Sequence, residues 1–197
     1  MKTGLIVLGV IVLIVVGGLG WAIGINNQLV AQEQAVNEKW AQVQNVYQRR
    51  ADLIPNLVET VKGYAAQERT VLEEVTKARA SVAGIKATPE LVNDPEAFRK
   101  FQAAQQELSG ALARLLVTVE RYPDLKSNQN FLTLQSQLEG TENRIAVERM
   151  RYSETVRDYN TRLRLFPGSL VASLRGFKDK AYFEAAPGSQ EAPKVKF

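Results

Sequence analysis

Glu139 and Glu142, in the stretch QLEGTEN, stand three residues apart and share one face of a helix. Paired carboxylates at that spacing can hold a metal ion in a helical bundle or divide acid and base work between them. Glu73 and Glu74 are adjacent, so on a helix they point in different directions. The chemistry stops there. The chain contains no histidine and no cysteine, which removes imidazole bases, thiol nucleophiles, disulfides and zinc sites with nitrogen or sulfur ligands. A bundle di-iron site also needs Glu-x-x-His pairs that this sequence cannot supply. Hydrogen bonding by Thr141, Glu142 and Asn143 explains the stretch more simply. No catalytic, cofactor-binding or metal-ligating residue is assigned, and the expected function is non-enzymatic.

The polar residues with more to say lie inside apolar patterns. From Val36 an unbroken heptad seam runs through Trp40, Val43, Tyr47, Arg50, Ile54, Leu57, Val61, Tyr64, Glu68, Val71, Val75 and Ala78 to Val82. Arg50 and Glu68 are its two charged members. A buried polar group costs stability unless satisfied, but it can set register and partner choice. Two readings of Arg50 stand open. It pairs with a carboxylate on a later helix, Glu142 or Glu148, or it lays its stem across the seam and reaches water. The tyrosines at core spacing (Tyr47, Tyr64, Tyr122, Tyr152 and Tyr159) read as packing residues with hydroxyls at the rim.

Helices must position all of these groups. Pro55 lies within the first seam, where it removes a backbone donor. Asp52 could cap a fresh helix there, with Pro55 in its first turn. The seam passes from Tyr47 through Ile54 to Val61 in phase, however, which favours one bent helix from Leu29 to Ala83, about 80 Å long. Residues 84–95 (GIKATPELVNDP) form the first loop, with Asp94 and Pro95 at cap and N1 of the next helix. That helix carries Phe98, Phe101, Gln105, Leu108, Leu112, Leu115, Val119 and Tyr122, and Pro123 ends it. Ser127 or Asn128 caps a third helix that carries Phe131, Leu134, Leu138, Thr141, Ile145, Tyr152, Val156, Tyr159, Leu163 and Phe166 up to Pro167-Gly168. A short amphipathic segment then offers Leu170, Val171, Leu174 and Phe177 for packing.

Ahead of the seam, Gly4–Ile25 is free of charge and would make a helix of about 33 Å, enough to cross a bilayer. Its length exceeds the apolar core of a cleaved signal peptide, so a retained anchor is expected. Gly17, Gly20 and Gly24 share a face and would permit close contact between two such helices. Lys2 precedes the run, and Glu33, Glu38 and Lys39 follow it. The positive-inside rule then puts the larger part outside the cytoplasm. Between Arg144 and Lys180, basic residues outnumber acidic ones nine to four. That excess suits an acidic partner or lipid, or is a solvated face; no nucleic-acid motif accompanies it.

The expected fold is all-α: a transmembrane helix followed by an antiparallel up-down bundle of three long helices and a short fourth. Residues 1–3 form a short tail, 4–25 the transmembrane helix, 26–184 the bundle and 185–197 a disordered tail. A first helix of 80 Å outruns its neighbours. Val36, Trp40, Val43 and Tyr47 then lie uncovered near the membrane as an association surface, unless the third helix or the carboxy-terminal segment folds back over them.

The stretches RRADLIPNLVETVKGYAAQE, RYPDLKSNQNFLTLQSQLEGTENRIAVER and RYSETVRDYN, with FP at 166–167, GF at 176–177 and YFE at 182–184, resemble the LemA family of bacterial single-pass membrane proteins. Gln67 and Ser153 depart from it where members often carry histidine and asparagine. The resemblance implies a helical bundle on an anchor in the bacterial inner membrane, without cofactor or established catalysis. It also implies a link to envelope maintenance, with a membrane protease or other envelope protein as partner. The reading is therefore a self-associating, membrane-anchored scaffold, or alternatively a lipid-binding or membrane-shaping assembly.

Overall fold

A computed structural model describes residues 2–184, without the side chains at positions 2 and 5. The tail expected at 185–197 lies outside these residues. Among the described residues there are six α-helices and no strand: α1 (Lys2–Tyr64), α2 (Arg69–Ala83), α3 (Pro95–Val119), α4 (Pro123–Lys126), α5 (Gln129–Arg164) and α6 (Gly168–Arg175). A 3₁₀ segment, Pro89–Asn93, interrupts the loop before α3. The all-helical up-down architecture is as the sequence predicts.

The expected bounds of the first helix need correction at both ends. Its apolar amino-terminal part and its bundle part are one uninterrupted helix of 63 residues, about 94 Å long. It does not continue to Ala83. The chain reverses at Ala65–Glu68, and α2 runs back beside α1. The four residues of the reversal nearly equal one helical turn, so the heptad spacing survives a turn that ends the helix. Ala65 is buried at the tip, and the phenol of Tyr122 (2.6 Å) and the guanidinium of Arg121 (3.1 Å) both donate to the Glu68 carboxylate.

Pro55 sits inside α1, as the phase of the seam implies. Its ring nitrogen cannot donate to the carbonyl four residues back, at Ala51. The side chain of Arg79 on α2 takes that place, its Nε donating to the Ala51 carbonyl at 3.0 Å. The reversal into α2 thus returns a donor to the carbonyl that Pro55 leaves unpaired.

Caps and punctuation follow from residue chemistry. Asp94 accepts hydrogen bonds from the amides of Glu96 (2.9 Å) and Ala97 (3.1 Å), with Pro95 at N1 of α3. Asn128 accepts from the Phe131 amide at 3.1 Å and starts α5. At Gly168 an added Cβ would lie 2.2 Å from the Arg162 carbonyl oxygen, so only glycine lets α6 turn back against α5.

Side-chain pairings fix the directions. Arg50 meets Ser109 on α3 and Glu142 on α5, Arg162 meets Gln28, and Asn128 donates to the Tyr64 hydroxyl. So α3 runs with α1, and α5 runs against it along its whole bundle part. The lengths agree: α5 has 36 residues, about 54 Å, beside about 58 Å of α1 beyond Ile25. Two apolar clusters result. One gathers Trp40, Phe98, Phe101, Tyr152 and Val156 nearer the anchor, and the other gathers Ile54, Leu57, Val75, Leu115 and Phe131 at the far end.

The pairing of Arg79 with Ala51 yields a test. Arg79→Met should cost about 1 kcal/mol in urea unfolding of the detergent-solubilised chain followed by circular dichroism, because it leaves a carbonyl unpaired. In a Pro55→Ala background, where the backbone amide fills that role, the cost should vanish. Equal losses in both backgrounds would contradict the compensation.

Candidate functional site

Arg50 lies between the two clusters, 1% exposed. Its Nη1 donates to Glu142 Oε1 at 2.7 Å and to Ser109 Oγ at 2.8 Å, while Nη2 donates to the Gln105 amide oxygen. The guanidinium carbon stands 5.2 Å from the centre of the Tyr47 ring, a cation–π distance. Burial raises the Tyr47 phenol above its usual range, against the lowering effect of the Arg149 and Arg50 charges. Three helices are joined at one residue: α1 by Arg50, α3 by Gln105 and Ser109, α5 by Glu142.

Of the open alternatives for Arg50, the ion pair with Glu142 is the one formed. Glu148 takes no part, and its carboxylate accepts instead from Arg151 at 2.8 Å. The Glu142 side chain is 42% exposed, facing a cleft of about 450 Å³ that Glu139, Asn143 and Leu138 also line. What the cluster can do is hold three helices in register.

Val36, Trp40, Val43 and Tyr47 do come together, but not as a surface. All four are buried. The expectation of an uncovered stripe is corrected, because α5 extends the full length of the bundle part of α1 and covers it. Trp40 is the hub, with the rings of Phe98 and Phe101 at 5.6 Å, Tyr152 at 5.5 Å and Phe183 at 6.3 Å. Its indole nitrogen donates to the Thr88 carbonyl at 3.1 Å. Gly17, Gly20 and Gly24 have open space beside them.

Sequence periodicity missed a strap. Residues 177–184 have no regular structure, yet they are fastened across the bundle. The backbone amide of Lys180 donates to Asn160 Oδ1 and its carbonyl accepts from Asn160 Nδ2, each at 2.9 Å. Its buried ammonium donates to Glu33 at 2.6 Å and Asn93 at 2.7 Å. Gln102 makes the same two-way bond to the backbone of Glu184 (2.6 and 3.1 Å), and the Tyr152 hydroxyl donates to the Ala181 carbonyl. Burial drives the phenols of Tyr152 and Tyr159 strongly upward, so both stay neutral. These partners lie up to 147 residues apart, beyond the reach of any local pattern.

The junction between anchor and bundle has its own geometry. A cleft of about 920 Å³ opens beside α1, lined by Trp21, Gly24, Gln28 and Gln32 on that helix and by Arg157, Arg162 and Phe166 opposite. Arg162 donates to Gln28 and Arg175 to Asn26 (3.1 Å), and the rings of Trp21 and Phe166 are 6.3 Å apart.

Apolar length at one end of α1, a close-packed bundle around the other and polar groups spent on joining helices define a class: helical-bundle proteins with a candidate membrane anchor. Among the described residues no group of three or more Asp or Glu is placed to hold a metal ion. The chain belongs to the LemA family, whose profile matches residues 39–197. It is 27% identical over 177 residues to the magnetosome protein MamQ of Magnetospirillum gryphiswaldense, covering 82% of this chain and 65% of that protein. Magnetosome protein MamQ 2 of Paramagnetospirillum magneticum is 26% identical with the same coverage. Protein LemA of Metamycoplasma hominis is 21% identical over 164 residues, covering 83% of this chain and 71% of its own. The chain spans about 65% of the length of the magnetosome proteins it matches. The matched family region begins at Lys39, so it takes in Trp40, Arg50 and Glu142 and leaves out the apolar run.

The asymmetry of burial at Arg50 sets the expected mutational order. Glu142→Leu strands a fully buried cation and should cost about 3 kcal/mol in thermal or urea unfolding. Arg50→Met leaves a half-exposed carboxylate that water can solvate and an unpaired Gln105 oxygen, and should cost about 1–2 kcal/mol. An unchanged or raised stability for Glu142→Leu would remove the ion pair from the account.

Proposed function

We propose that this chain is a non-enzymatic, membrane-anchored scaffold of the bacterial envelope that self-associates through its anchor and presents its bundle to protein partners. The carrying observation is that anchor and bundle core are the same helix. Between Trp21 and Val36, α1 has no break, and α5, α6 and the strap hold it from three sides. A bundle built this way is held at a set angle to the plane of the bilayer, as a platform requires and a tethered catalyst does not. The names of the matched relatives specify no enzymatic activity.

With the stripe at Val36–Tyr47 buried, the face that remains for self-association is Gly17, Gly20 and Gly24. The open space beside these glycines admits a second helix at close range. The resemblance to LemA proteins supports the inner membrane as the site, with an envelope protein such as a membrane protease as partner. Lys2 ahead of the span supports an extracytoplasmic bundle.

Crosslinking in membranes, together with sizing in mild detergent, tests the association. The native chain should yield oligomers, and Gly17→Leu with Gly20→Leu should reduce them to monomers while leaving the circular dichroism spectrum unchanged. A native chain that stays monomeric at every protein-to-lipid ratio would overturn self-association.

A further inference from the structure

The corner where α5 turns into α6 breaks the pattern set by the rest of the fold. The sequence offers Phe166, Leu170 and Leu174 for packing, yet they are 77%, 54% and 79% exposed, and Leu165 beside them is 61% exposed. Of α6, only Gly168, Val171 and Ala172 are buried against the bundle. A contiguous apolar surface of this kind on a helix end calls for a cover.

Its position says what the cover is. Leu174 and Val171 line one shallow cleft with Leu19, Ala22 and Ile23 of α1, and Phe166 lies against Trp21. Those α1 residues belong to the last two turns of the apolar run that ends at Ile25. At a rise of about 1.5 Å per residue, Leu19 is about 9 Å inside that end. A bilayer crossed by α1 therefore has its headgroup boundary at the level of α6. Arg162, Arg164, Arg175 and Lys178 are exposed around the same corner; Arg164 is paired with Asp179 at 2.6 Å, which leaves Arg162, Arg175 and Lys178 at the height where lipid phosphates would lie.

We propose that the α5–α6 corner is a second membrane element: Phe166, Leu170 and Leu174 insert among the acyl chains beside α1, and the surrounding basic side chains take the phosphates of anionic lipids. This rests on α1 crossing the bilayer. An element lying in the interface about 5–10 Å deep is the ordinary mode for a short amphipathic helix. Two points of attachment, one spanning and one lying flat, prevent the bundle from tilting about α1. The occupant is the bilayer rather than a second copy, since the patch is continuous with the lipid-facing surface of the anchor.

Because the chain has no cysteine, single cysteines can carry a depth probe in the full-length protein. Leu174→Cys, Ile11→Cys and Val117→Cys are each labelled with bimane and reconstituted into phosphatidylcholine–phosphatidylglycerol vesicles with or without brominated acyl chains. All three positions are well exposed in the structure, so labelling should not disturb folding. The expected result is strong loss of emission in brominated vesicles at position 11, clear but smaller loss at 174 and none at 117. Loss at 11 with none at 174, and with 174 open to aqueous iodide, would overturn the inserted corner while the anchor stands. A label at 174 shielded from both quenchers would mean that protein covers the patch, either a second copy or the chain beyond Glu184, and would also overturn it. Absence of loss at 11 would overturn the anchor, and the proposal with it.

Discussion

One helix has to satisfy two solvents. From Ile6 to Ile23, α1 exposes large apolar side chains around its circumference, the pattern of a candidate membrane anchor. From Leu29 to Val61 it buries one stripe, among them Val36, Trp40, Val43, Ile54 and Leu57, against neighbouring helices that water drives onto it. No loop separates the regimes. Backbone hydrogen bonding runs straight through the change, so whatever holds the bundle to α1 also holds it to the candidate anchor.

The remaining polar architecture follows from that constraint. A stripe of aromatic and aliphatic residues packs in more than one register, and a buried guanidinium does not. Arg50 accepts one arrangement, with Gln105 and Ser109 on α3 and Glu142 on α5. Lys180 does the same nearer the anchor, joining α1 through Glu33 to the loop before α3 through Asn93. The two buried cations are specificity devices more than sources of stability, since a desolvated ion pair gains little over apolar packing but penalises every misaligned alternative.

Much of this was legible in the residues. The heptad spacing exposed the seams of α1, α3 and α5, Asp94 marked the start of α3 and Ser127 or Asn128 that of α5, and Arg50 stood out in an apolar seam with Glu142, Glu148 and water all open as its partner. The reversal at Ala65–Glu68 was not legible, because AAQE holds no glycine or proline and favours helix locally; packing of α2 on α3 overrides that preference. Periodicity also identifies which face of a helix is apolar without identifying what covers it. Trp40 and Phe166 look alike on that criterion, yet one is the hub of the core and the other stands in the open. The strap from Phe177 to Glu184 has no period at all, and its fastening to Asn160, Gln102 and Glu33 exists only once the helices are assembled.

Hydrogen exchange of the full chain in lipid nanodiscs reads the central claim most directly, at the amides of Asn26–Glu33 where α1 leaves the apolar run. If α1 is one rigid helix shared by anchor and bundle, these amides exchange as slowly as those of Val43–Leu57. Rapid exchange confined to that segment would reveal a hinge and contradict the account.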